Sequence, residues 1–224
     1  MKFIKQSEVN KPLLHKFPEE DIQKASSICK ARAEQTQMFM QIACRQDCHR
    51  CVHQPNQSFC NPSGSIQADN MFVFLQPDEE DAVVHSIGFG PSSRLLTMML
   101  EKLNIKEQDA YFTSLSKCQG ENPEESSSEC LSLFFLSELK RVRPKRLILF
   151  GEITSRLVLE ALGFEEERFE DIVGVKMACA YEGEKLEVIS LKSPQDMVFK
   201  NGTLFKALRK DLWQGLKRHL NEAS

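Results

Sequence analysis

No stretch of this chain approaches the roughly 18 consecutive apolar residues that a membrane-spanning helix needs, and the opening Met1 to Lys5 leads into no signal-peptide core. Internal repeats are missing, as are low-complexity tracts, so solenoid and disordered architectures are excluded. An excess of positive charge is missing as well. Against 29 Lys and Arg stand 32 Asp and Glu, a net charge of −3. Such a balance gives no global attraction to nucleic acid, so any DNA binding must rest on a local basic face. These absences leave an ordinary globular chain for which a cytoplasmic location is expected.

With 224 residues, 41% hydrophobic and 27% charged, the chain suits one domain with a proper core. The eight cysteines then read as reduced thiols and metal ligands rather than a disulfide frame. Cys29 and Cys179 stand alone and read as small apolar side chains.

Hydrophobic periodicity sets the order of elements. An arm over residues 1–17 precedes a helix from Glu19 to about Arg45, with Ile22, Ala25, Ile28, Ala33, Met38 and Ile42 on one stripe. After a cysteine segment (44–60) and a turn-rich linker, Met71 to Leu75 is a continuous apolar run of the kind a buried parallel strand shows. An acidic loop from Gln76 to Asp81, the turn Gly88 to Pro91 and a helix carrying Leu95, Leu96, Met99 and Leu103 follow. Tyr111, Phe112 and Thr113 open a strand that ends at Cys118, and a helix runs from about Glu124 to Val142. Arg146 to Phe150 is another buried strand closed by Gly151, with a helix over 154–162. Strands over 172–181 and 185–191 and a last helix over 203–220 complete the chain. Strand and helix alternate, which predicts a three-layer α/β/α fold with a mostly parallel central sheet and an added N-terminal helix. Ligands then bind at the strand carboxyl ends, the loops at Gln76, Ser114 to Cys118, Gly151 and Ser193.

Two close pairs of thiols, Cys48-His-Arg-Cys51 and Cys118 with Cys130, suggest one four-thiolate site tying the N-terminal segment to the sheet. The same cysteines permit a local zinc site from Cys44, Cys48, Cys51 and Cys60, with His49 and His53 between them. The spacing of Cys44, Cys48 and Cys51 also matches the three-thiolate motif of radical SAM enzymes, but a helix stands where a barrel strand should precede it.

The chain resembles the family 4 uracil-DNA glycosylases, the iron–sulfur branch of that superfamily, over roughly Cys48 to Lys217. A Cys-x-x-Cys pair is followed about 20 residues on by the strand Met71-Phe-Val-Phe-Leu-Gln-Pro77, where the family has a strand and a Gly-Glu-x-Pro-Gly loop. Phe89-Gly90 and then Leu95-Leu96 match a Phe-containing turn before a Leu-Leu helix. Tyr111-Phe-Thr-Ser-Leu-Ser-Lys-Cys118 matches Tyr-x-Thr-Asn-x-x-Lys-Cys except at Asn. Cys130 near a helix start and Arg143-Pro-Lys followed by a strand and Gly151 complete the series. The division implied is a segment 1–60 (arm, helix, cysteines) and a glycosylase-like domain 61–224, one compact unit together.

The resemblance implies a [4Fe–4S] cluster on Cys48, Cys51, Cys118 and Cys130, thiolate ligation that suits a soft cluster, with zinc as the alternative. It implies DNA as partner and a role in DNA repair. Its base-stacking aromatic falls on Phe89, its uracil-reading Asn on Ser114, its water-orienting Glu on Gln76, and its leaving-group His on Ser193, with Lys192 beside it. Gln can position water but cannot take its proton, and Ser offers one hydroxyl where Asn offers a fixed donor and acceptor. Each lost group costs on the order of 10²–10⁴ in rate, so standard uracil excision is expected to be weak or lost. Lys192 offsets part of this only if it points into the cleft. Asp78, Glu79 or Glu80 could substitute for the water-orienting Glu, although an acidic run in a loop ordinarily reads as solvated. DNA contacts are expected from Lys200, Lys206, Arg209 and Lys210 on the last helix and from the cluster Arg141, Arg143, Lys145, Arg146. The alternative is a non-catalytic structural or interaction protein in which the metal site only staples the fold.

Overall fold

A computed structural model describes residues 18–36, 59–120, 122–198 and 202–220. The six strands are β1 (Ser63–Gly64), β2 (Asn70–Phe74), β3 (Ala110–Ser114), β4 (Arg146–Phe150), β5 (Lys176–Tyr181) and β6 (Glu184–Leu191), in the order β1-β3-β2-β4-β6-β5. The four inner strands are parallel, while the edge strands β1 and β5 are antiparallel to their neighbours. The parallel inner set follows from its residues: β2 and β3 are buried at every position and β4 at all but its first, as strands covered on both faces must be.

The helices are α1 (Glu19–Thr36), α2 (Glu79–Val84), α3 (Pro91–Lys102), α4 (Pro123–Cys130), α5 (Leu136–Val142), α6 (Glu152–Ala161), α7 (Phe169–Ile172), α8 (Pro194–Val198) and α9 (Gly202–Leu220). A π-helical segment, Leu131–Phe135, joins α4 to α5. Side chains alternate across the sheet with period two, and the two cores divide accordingly. Phe72, Phe74, Phe112, Ile148, Phe150, Ile189 and Leu191 face α3 and α9. Met71, Val73, Tyr111, Leu147, Leu149 and Val188 face the α4–α5 run and α6. The fold is thus the three-layer α/β/α expected, with α1 added against α3 through buried Ala25 and the ion pair Lys24–Glu101.

Three differences from expectation have local causes. The linker after the cysteine segment supplies β1, because Gly64 takes φ +111° and lies against the Ala110 carbonyl, where a Cβ would clash. The acidic loop contains α2, which begins after Asp78. The helix expected to reach Arg45 is described only to Thr36; residues beyond it, with Cys44, Cys48 and Cys51, lie outside the described residues, as does the side chain of Cys29. Cys179, on edge strand β5, is only half-buried.

Strand order also locates the site. From β2 the chain crosses to β3 on one side, whereas from β4 it proceeds to β6 on the other. Connections leaving in opposite directions open a crevice at the carboxyl ends of β2 and β4. Phe72 anchors the layer beneath, stacked 5.0 Å from Phe112 and 6.3 Å from Phe150. Phe72→Ala should lower the unfolding free energy by about 3–5 kcal/mol, read from the urea midpoint at unchanged m-value.

Candidate active site

At the switch point lies a cleft of about 530 Å³. One wall is the loop after β2 (Leu75 to Glu80) and the other the turn after β4 (Phe150 to Thr154), with Ser193, Gln195, Asp196 and Gln119 closing the rest. Such a volume suits one nucleotide-sized ligand.

The β2 wall is held by buried carboxylates. Asp81 is 2% exposed. Its Oδ1 accepts the backbone N–H groups of Gly88, Phe89 and Gly90 at 2.8–3.0 Å, and its Oδ2 that of Asp78 at 3.0 Å. Asp78 accepts the Ser92 N–H at the start of α3, the Ser92 hydroxyl and the Gln195 amide. Gly90 is required there, since a Cβ would fall 2.3 Å from the Asp78 carboxylate. The Gln195 Nε2 also donates to the Gln76 carbonyl at 2.8 Å, lacing α8 to the β2 loop. Burial and the neighbouring Asp78 push Asp81 up to about 7, against the backbone N–H groups that favour its ionised form. Burial likewise raises Asp78 above its ordinary value, opposed by the bonds from Gln195 and Ser92.

On the other wall Gly151, at φ +89°, precedes α6, and Ser155 supplies the first N–H that bonds back along the helix, to the Gly151 carbonyl. The N-cap of α6 is Gly151, which has no side chain to cap it, and the first turn, whose N–H groups lack intrahelical acceptors, lines the cleft from Gly151 to Thr154. Thr154 Oγ1 is buried without a hydrogen-bond partner among the described residues. The wall is a donor surface of the kind that receives anions.

The loop after β3 is fastened from below. Lys117 is 1% exposed. Its Nζ meets Glu138 of α5 at 2.7 Å, the Thr113 hydroxyl at 2.6 Å and the Ser114 carbonyl at 2.7 Å. Thr113 in turn donates to the other Glu138 oxygen at 2.7 Å. Two hydrogen-bond acceptors and a counter-charge in contact make this buried ammonium tolerable.

The residues singled out by sequence divide. Gln76 and Ser193 line the cleft; the Ser193 Oγ accepts the Gln195 N–H. Phe89 is half-buried and outside the cleft lining, its N–H on Asp81 and its carbonyl on Arg94 Nε. Ser114 is wholly buried, with its hydroxyl donated to the Ser116 carbonyl at 2.7 Å. Lys192 turns away: its Nζ sits 5.0 Å over the Phe169 ring. The idea that it faces the cleft is therefore corrected. Among the described residues the cleft lining contains Asp78, Glu79, Glu80, Glu152 and Asp196 but no Lys, Arg or His.

The basic residues lie elsewhere. Arg143, Lys145 and Arg146 sit at the amino end of β4, the opposite end of the sheet from the cleft, and each meets an acid: Glu184, Asp69 and Glu187. Lys206, Arg209 and Lys210 share an outer groove with Trp213 that has no lining residue in common with the cleft. Lys200 is outside the described residues.

Cys118 and Cys130 are both buried. The Cys60 N–H donates to the Lys117 carbonyl, next to Cys118, at 2.7 Å. Phe59 packs against Cys130 and meets the Phe134 ring edge-on at 6.1 Å. The chain leaving the Cys48–Cys51 segment therefore arrives between the two downstream thiols. Cys48 and Cys51, eight or more residues before Phe59, lie outside the described residues. Cys60 itself is wholly buried in the α3 core, where burial pushes its thiol up. Among the described residues alone, no three Cys, His, Asp or Glu form a metal site.

Comparison with known proteins agrees with this architecture. Residues 62–217 match the model of the uracil-DNA glycosylase superfamily, and the chain belongs to that superfamily. Among its relatives is the type-4 uracil-DNA glycosylase of Archaeoglobus fulgidus, 21% identical over 157 residues, 68% of this chain and 79% of the relative. The type-4 uracil-DNA glycosylase of Pyrobaculum aerophilum is 23% identical over 132 residues (57% and 67%), and that of Sulfurisphaera tokodaii 22% over 152 (66% and 69%). The chain is a DNA glycosylase-like protein.

The sequence marks Asp78 only as part of an acidic run and gives no role to Asp81, Thr154 or Gln195. An acid at the residue before a helix and another three positions on is a legible start signal; the buried bonding of the pair is tertiary.

Two outcomes are expected. Lys117→Met or Glu138→Gln should each cost about 3–5 kcal/mol by stranding a buried charge, and Lys117→Met with Glu138→Leu should recover most of it. Urea midpoints of the four proteins check this. Second, because Asp81 titrates near 7 when folded and near 4 when unfolded, the folded chain holds the extra proton between those values. Its contribution to stability therefore falls as pH rises from about 4 to about 7 and is flat above. Asp81→Asn should flatten the pH dependence of the urea midpoint over that window; an unchanged slope would refute the assignment.

Proposed function

We propose that the chain is an iron–sulfur, glycosylase-like protein that engages DNA at the β2–β4 cleft and has weak or no standard uracil excision. The observation that carries the loss of activity is Ser114. At the position corresponding to the family's uracil-reading Asn, it is buried, its hydroxyl is committed to Ser116, and it does not line the cleft. A departing uracil carries negative charge, and the described lining sets five carboxylates around it and contributes no Lys, Arg or His of its own, Arg94 reaching Glu80 from outside at 4.0 Å. Gln76 can hold a water but cannot accept its proton, and Ser193 offers a hydroxyl in place of an imidazole. Losses of this kind are each about 10²–10⁴ in rate and do not simply add.

Support for DNA at this cleft comes from the uncapped start of α6. Its N–H groups with Thr154 offer a phosphate what an anion needs, without a charged side chain. Cys48, Cys51, Cys118 and Cys130 would hold a [4Fe–4S] cluster; buried thiols at the point where the upstream segment enters support this set. The cluster would staple the residues before Phe59 to the β3 loop and to α4, and no step of base release passes through it.

Uracil release from single-stranded DNA, assayed beside the Archaeoglobus fulgidus relative, should be at least about 10² slower; a rate within tenfold of the relative refutes the loss of activity. Anaerobically purified protein should contain iron and acid-labile sulfide, and Cys118→Ser and Cys130→Ser should each lose them. Stoichiometric zinc without sulfide would refute the cluster.

A further inference from the structure

Between α3 and α9 runs a groove of about 440 Å³ on the outer face of the helical layer. Its floor is apolar: Leu95, Met98 and Met99, all buried in the core beneath, with half-buried Trp213 opposite. Lys102, Lys206, Arg209 and Lys210 are exposed around it. Lys102, Lys206 and Lys210 form no salt bridge with any described residue, unlike Arg143, Lys145 and Arg146 at the foot of the sheet.

We propose that this groove docks an acidic peptide segment of a partner protein, with one large apolar side chain on the methionine floor and flanking carboxylates on the lysines. Charge chooses this occupant over the chain's own arm: residues 1–17 contain Lys2, Lys5, Lys11 and Lys16 against Glu8 alone, so the rim repels it. The floor chooses a peptide over a nucleic acid. Strand-binding grooves repeat aromatic platforms along a basic track, whereas this lining has a single aromatic among thioethers, the adaptable surface that peptide-binding grooves favour. Size agrees: Leu95 to Lys102 spans about 10 Å along α3, room for one anchoring side chain and the acids beside it.

Trp213 is the only tryptophan in the chain, so its emission reports this groove directly. The full chain is titrated with a glutamate-rich peptide of about a dozen residues carrying a central Phe-Leu pair. The expected result is a saturable blue shift with Kd of about 10–100 μM, in the range of weak peptide docking. Affinity should fall about tenfold or more when the Phe-Leu pair becomes Ala-Ala, and again with Lys206→Glu plus Lys210→Glu. The peptide change leaves the protein intact, so the test survives a variant that folds poorly. No saturable shift up to about 1 mM, or equal binding of the Ala-Ala peptide, overturns the proposal. So does oligothymidylate that shifts Trp213 and displaces the peptide, which would give the groove to nucleic acid. Concentration-dependent self-association abolished by the lysine variants would give it to a second copy and likewise overturns it. None of these readouts depends on base excision, so this inference and the proposed function stand or fall separately.

Discussion

An ammonium group with almost no water around it must be given hydrogen-bond acceptors and a counter-charge or it will not stay charged and buried. Lys117 takes them from Glu138, Thr113 and the Ser114 carbonyl. The consequence is a tightly folded loop after β3, in which Ser114 turns inward and Cys118 follows directly on an anchored residue. The entry of the upstream segment is fixed to the same loop, because the Lys117 carbonyl accepts the Cys60 N–H. One buried ion pair thereby relates the thiols, the rim of the cleft and the face of α5.

With Ser114 withdrawn, the open space at the switch point belongs to the loops after β2 and β4, and the chemistry of that space differs from its surroundings. Donors come from the backbone at the start of α6, while the described side chains bring carboxylates. A ligand can rest on the first through backbone hydrogen bonds, but negative charge that develops near the second is opposed. The cations that would reverse this balance are spent elsewhere: at the foot of the sheet on ion pairs with Glu184, Asp69 and Glu187, at Lys192 on the Phe169 ring, and on α9 around an apolar groove. Net charge said nothing of this, since it sums over faces that never meet the same ligand.

Much of the architecture was legible because it depends on local pattern. The continuous apolar runs at Met71 and Arg146, and the alternation of such runs with helical stripes, require a parallel sheet covered on both sides. The strand ends at Gln76, Gly151 and Ser193 marked loops where a site had to lie, and these line the cleft. The spacing of Cys48, Cys51, Cys118 and Cys130 carried the kinship that the superfamily match supports. What the residues alone determined was therefore the class of fold and the end of the sheet whose loops line the cleft.

Only the tertiary structure decided which way the side chains point. Whether an acidic run is solvated or buried depends on what packs over it, and Asp81 is covered by the Gly88 to Gly90 turn it bonds. Whether a basic cluster is a binding face depends on strands distant in sequence, which placed acids beside Arg143, Lys145 and Arg146. Desolvation and pairing act through space, so the chain order that names a residue cannot say what faces it.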